Sequence, residues 1–161
     1  MIYSRSTEYA IRALIPLASA PEGQYTMAKK LAEQEDIPSH FLAKILQQLA
    51  RKGLLRSSKG PMGGFALRLP ADKIRIYDIV EALDGLQPYH LCIGGRGECP
   101  EDDHCPMHDG WVALHEAILD YLKDNTVADL VVALDQKRKS IARKAKRRER
   151  LAAARNGRNH K

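Results

Sequence analysis

Three cysteines, Cys92, Cys99 and Cys105, are the only thiols of the 161-residue sequence, and all lie in one stretch that ends at His108. An odd, clustered set of thiols makes a poor disulfide framework and reads instead as a metal or redox site of a reducing compartment. Three chemistries fit. An iron–sulfur cluster is one: thiolates hold iron, and the interleaved Gly94, Gly95 and Gly97 let backbone amides approach inorganic sulfide. A metal-free thiol sensor, or a vestigial loop, is another. Structural zinc comes third, since the C-x6-C-x5-C spacing lacks the close cysteine pairs that zinc sites favour. His90 and His104 lie nearby and read as solvated loop histidines. Residues 87–107 carry almost no large apolar side chain, so the segment needs a local organiser, which a bound metal would supply.

A second set of residues could read nucleic acid. His40, Lys44, Gln47 and Arg51 recur at spacings of four, three and four, opposite the apolar stripe of Leu42, Ile45, Leu46 and Leu49. Lys, Gln and Arg pair with guanine and adenine edges in the major groove. Thr26 and Lys29 on the preceding helix, Ser39 at the start of this one, and Ser57, Ser58, Lys59 and Gly60 at a hairpin tip suit phosphate contacts. No catalytic constellation competes with these. His115-Glu116 lacks the second histidine of a zinc-protease helix, and no nucleophile–base arrangement or phosphate loop is present.

The elements that must position these residues follow from periodicity. Ala10, Leu14, Leu17 and Ala18 predict a first helix over 6–20, kinked by Pro16. Thr26 reads as the N-cap of a second helix that buries Ala28, Leu31 and Ala32, and Ser39 as the N-cap of a third, closed by Gly53. Leu54–Ser57 and Phe65–Leu69 read as strands of a hairpin turned at 58–64, and Ile76, Ile79, Val80 and Leu83 place a further helix over 76–85. Helix, helix, turn, helix, hairpin, helix is the order of a winged helix-turn-helix, in a mainly α fold. Trp111, Leu114, Ile118, Tyr121 and Leu122 then give a long helix over 108–123 with a broad apolar face. A second copy of the chain is its simplest partner, making the protein a homodimer.

Charge is divided unevenly along the chain. The net charge is +6, yet residues 137–161 hold twelve Lys/Arg against Glu149, leaving 14 basic and 19 acidic residues before them. Any DNA-reading face of the body must therefore be found locally; the basic tail reads as disordered or transiently helical, and a non-specific nucleic-acid-binding module driven by it is the competing function. No apolar run is long enough to span a membrane, which predicts a cytoplasmic protein with no membrane partner.

The strings MIYSRSTEYAIRAL and LARKGLLRSSKGPMGGFAL, with three cysteines followed by His108, resemble IscR- and NsrR-type regulators of the Rrf-two family of bacterial transcription factors. The resemblance covers about residues 1–134 and is most specific in the KGPMGGF wing. It implies a homodimeric winged-helix regulator that binds operator DNA and responds to an iron–sulfur cluster or another small signal. It also implies that Cys92, Cys99, Cys105 and His108 hold the cluster, 2Fe–2S before 4Fe–4S, with Glu8 the runner-up fourth ligand. The first cysteine gap is one residue longer than the family's spacing. The expected organisation is a DNA-binding domain at 1–86, a sensor loop at 87–107, a dimerisation segment at 108–136 and the tail at 137–161.

Overall fold

Ser4 opens the first helix: its backbone is extended and its hydroxyl accepts the Thr7 N–H at 3.3 Å. In the computed structural model, which describes residues 2–89, 91–94, 97 and 105–156, α1 spans Arg5–Ser19 and buries Ala10, Ala13, Leu14 and Leu17. It is one helix across Pro16, which lacks the N–H that would bond the Arg12 carbonyl, and it ends at Ser19. Helix α2 (Ala28–Glu35) stops where Asp36 turns left-handed at φ 51°, and α3 (Ser39–Arg51) follows after two residues. Leu42, Ile45, Leu46 and Leu49 are buried, as the stripe predicts.

Both predicted caps are corrected. Ser39 is already the first helical residue of α3, and Pro38 holds the N-cap position. Met27 holds that position for α2, because the Thr26 backbone is committed elsewhere. Thr26 N–H donates to the Phe65 carbonyl and Phe65 N–H to the Thr26 carbonyl, both at 2.9 Å. Phe65 belongs to the wing, in which β1 (Leu55–Ser58) pairs antiparallel with β2 (Gly64–Leu67), Leu55 opposite Leu67 and Ser58 opposite Gly64. The start of α2 is thus tied to the wing as a short third edge.

Gly64 makes that tie feasible. Its φ of +141° excludes most side chains, and a Cβ there would collide with the Thr26 carbonyl. Gly64→Ala is expected to destabilise the fold by about 2–3 kcal/mol, the combined scale of backbone strain and a displaced strand pair. Urea unfolding of the variant checks this; an unchanged midpoint would contradict it.

The wing leads through one 3-10 turn, Ala71–Lys73, to α4 (Ile76–Leu83), which packs on α1 and α3. Then come α5 (His108–Asp124) against α4, and α6 (Val127–Asn156), whose first part lies on α1. The start of α6 is firmly built. Ile76 N–H donates to the Asn125 carbonyl and Val127 N–H to the Ile74 carbonyl, each at 2.9 Å, and Leu122 and Val127 are buried. Thr126 and Asp129 cap the helix reciprocally. The Thr126 hydroxyl and N–H both donate to the Asp129 carboxylate, which holds its pKa below the ordinary aspartate value.

Helix α6 runs through residue 136 and over the basic segment to Asn156. Residues 111–156 contain no glycine or proline, and Ala, Lys and Arg are strong helix formers. Residues 157–161 lie outside the described residues.

Candidate nucleic-acid interface and cysteine loop

Burial of the leucine stripe turns the opposite face of α3 outward, and His40, Lys44, Gln47 and Arg51 are all exposed. The neighbouring Gln48 is used internally: its Nε2 donates to the Ala82 carbonyl at 3.1 Å and ties α3 to α4. Gln47 and Arg51 line one shallow depression with Ala50, Leu55 and Ser57, so the outer face of α3 and strand β1 share a concave surface. Ser58, Lys59 and Gly60 are exposed at the tip of the wing, and Lys29 is exposed on α2. Thr26 is half-buried and its backbone N–H is already paired, which leaves only its hydroxyl for a phosphate. Arg56, which the sequence reading passed over, is exposed on β1 and borders a groove with Leu17, Leu67 and Arg68. Its signal was strand alternation: Arg56 and Ser57 are successive strand residues and so face opposite ways.

The contacts that seat the cysteine loop join residues distant in sequence. The Ser4 N–H and hydroxyl donate to the two oxygens of Asp84 at 2.7 and 2.6 Å, joining the start of α1 to the end of α4. Just beyond, buried Tyr89 donates its hydroxyl to the Ile2 carbonyl at 2.5 Å. Burial, with Asp84 and then Tyr3 nearby, raises the pKa of that phenol and keeps it a donor. The Tyr89 ring meets His115 edge-on at 6.2 Å, and His115 leans on Trp111 at 4.2 Å. The Trp111 indole N–H donates to the Leu91 carbonyl at 2.9 Å. The residue before Cys92 is therefore fastened to the first turns of α5.

Cys92 is half-buried, and its sulfur accepts the Gly94 N–H at 3.3 Å while its own N–H donates to the Gly97 carbonyl at 2.7 Å. Cys105 is half-buried at the other end, and its carbonyl accepts the N–H of His108, the first residue of α5. Amide donation to the Cys92 sulfur is the kind of contact that the thiolates of an iron–sulfur centre receive. Cys99, His90 and His104 lie outside the described residues, and among the described residues no three His, Cys, Asp or Glu side chains gather for a metal. Glu8 sits 3.8 Å from Arg12, which also contacts the Glu35 carboxylate at 3.5 Å and donates to the Glu35 carbonyl.

The apolar face predicted for α5 is divided between uses. Leu122 is buried and Ile118 packs on the core, Trp111 holds the loop, and Leu114 and Tyr121 stay 50% and 64% exposed. Among the described residues no helix is long and apolar enough to cross a membrane.

Residues 3–133 match the Rrf2 family, described as iron-dependent transcriptional regulators. An HTH-type transcriptional regulator of Aquifex aeolicus is 36% identical over 133 residues, covering 81% of this chain and 92% of its own. A Mycobacterium tuberculosis protein named in the same way is 34% identical and covers 81% of each chain. Among solved structures, CymR, the global cysteine regulator of B. subtilis, superposes with a TM-score of 0.70 at 26% identity, over 81% of this chain and 95% of that one. T. potens IscR gives 0.68 at 22% identity, over 83% and 88%, and shares the fold. With its mainly helical body, its two-stranded wing and this match, the chain belongs to the Rrf2 family of transcriptional regulators.

Proposed function

We propose that this regulator binds a specific operator as a homodimer, reads it with α3, and is switched by an iron–sulfur cluster at the cysteine loop. The observation that carries the reading is the outward row of His40, Lys44, Gln47 and Arg51, continued by Ser57 and the wing tip. Lys44, Gln47 and Arg51 supply base contacts. Lys29, Ser39, Ser57, Ser58, Lys59 and Gly60, with the Thr26 hydroxyl, supply phosphate contacts that fix the register. No residue of this surface is given a catalytic role.

The cluster would be held by Cys92, Cys99, Cys105 and His108, with Glu8 as the alternative fourth ligand. When bound it supplies an iron centre sensitive to oxidants and nitric oxide. The family's iron-dependent description and the amide-to-sulfur contact at Cys92 support this assignment. The chain's own part is mechanical. Leu91 is bonded to Trp111, Trp111 lies against His115, and His115 meets Tyr89, whose hydroxyl holds Ile2 two residues before the α1 cap. Ordering the loop thus bears on the position of α5 and the N-terminus of α1 together. A metal-free thiol switch at the same cysteines is the second reading. A solved oxidised form of S. aureus CymR, 29% identical to this chain, favours it.

The homodimer rests on Leu114 and Tyr121, large apolar side chains left exposed on one helix. Light scattering at micromolar concentration is expected to give twice the 18.0 kDa chain mass, and Leu114→Glu with Tyr121→Glu to give a folded monomer. A folded parent of monomeric mass would contradict the dimer.

A further inference from the structure

The second half of α6 takes no part in the site described so far. From Lys137 to Arg148 it carries eight Lys/Arg and no acidic residue, and every side chain is exposed. Of these cations, Lys139 is paired with Asp135 at 2.6 Å. At 3.6 residues per turn, Lys137, Lys144 and Arg148 fall on one stripe, and Lys139, Arg143 and Lys146 on another. Ile141 is the one large apolar side chain among them. A helix that lies in a membrane surface needs a continuous apolar face, which this segment lacks. Two cationic stripes suit a polyanion that can be met from both sides.

Position points the same way. Arg138 lines a groove with Pro16 and Ser19 of α1 and Thr26, Lys30 and Gln34 at α2. Lys29 and Lys30 are exposed, so positive charge continues from α2 onto the departing helix. The family match ends at residue 133, so these cations lie beyond it.

We propose that residues 137–148 of α6 form a second, sequence-independent DNA-binding element that grips phosphates of the duplex flanking the operator. The proposal rests on the DNA-binding reading above. The twelve residues from Lys137 to Arg148 span about 18 Å of helix, roughly 10–12 Å across, which fits a major groove about 12 Å wide over about half a turn, with one stripe toward each phosphate rail.

The test uses the full chain with alanine at Lys137, Lys139, Arg143, Lys144, Lys146 and Arg148. Alanine favours helix, circular dichroism checks that α6 persists, and a glutamine version of the same six changes controls for side-chain length. Probes are a duplex of about 40 base pairs enriched from a random pool by the parent, its central 20 or so base pairs, and a random 40-mer. At about 100 mM salt both six-residue variants are expected to lose at least tenfold in affinity for the long duplexes. The slope of log affinity against log salt should shrink by about 3, as loss of three or more phosphate contacts requires. Preference for the enriched sequence should persist, and the short duplex should be little affected. Parental affinity and slope in the variants would overturn the proposal. So would a loss of binding to phosphatidylserine vesicles with duplex binding intact. Gln47→Ala, measured in parallel, separates the two readings. If its selectivity is parental while the six-residue variants flatten the slope, α3 is not the reader and this proposal stands.

Discussion

Gln47→Ala and Lys44→Ala are each expected to lower discrimination between an enriched operator and random duplex by about 1–3 kcal/mol, roughly 5- to 150-fold, the worth of one good base contact. Binding to random duplex should change far less, because α3 adds base contacts to an affinity that phosphates already provide. Both side chains are exposed on a helix whose other face is buried, so neither substitution opens a cavity. Gln48→Ala is the internal control. It removes a bond to the Ala82 carbonyl, so it should lower stability while leaving discrimination intact. Competition binding on both duplexes reads these effects, and equal losses on the two would show that α3 does not read bases.

The parts of this fold that could be read from the sequence are those set by local periodicity. The stripe from Leu42 to Leu49 is a 3.6-residue pattern, and burying it leaves one outward face for His40, Lys44, Gln47 and Arg51. Caps and ties were hidden because their partners are distant in sequence. Thr26 looks like an N-cap until Phe65 takes its backbone, and Ser4 gains its role from Asp84, 80 residues away. Trp111 fits an apolar dimer face by spacing, yet its indole N–H belongs to Leu91. The boundary at residue 136 rests on a change of charge, and α6 runs through it because Ala, Lys and Arg continue a helix without glycine or proline.

Cys92→Ala, Cys99→Ala and Cys105→Ala are each expected to abolish iron–sulfur absorbance of anaerobically prepared protein. Each should also change operator affinity by about 5- to 150-fold, the span of a 1–3 kcal/mol coupling between two sites. His108→Ala should leave an altered or weaker centre, because the three thiolates remain. The effect on DNA is bounded by how differently the loop is held in the two states. On the proposed function, contacts from Leu91 through Trp111, His115 and Tyr89 to Ile2 would carry that difference to the winged unit. A metal-free thiol switch separates cleanly from this: the cysteine variants would then alter the response of operator affinity to oxidant, with no iron bound in the parent.

The most direct measurement of the central claim is the affinity of one preparation for the enriched duplex with its iron–sulfur centre intact and again after anaerobic removal of iron, with iron and sulfide counted in both. The account predicts iron and sulfide in the intact protein, and a change of at least fivefold in operator affinity on removal that Cys99→Ala does not show. Absence of iron–sulfur absorbance after anaerobic reconstitution, or equal operator affinity in the two states, would contradict it.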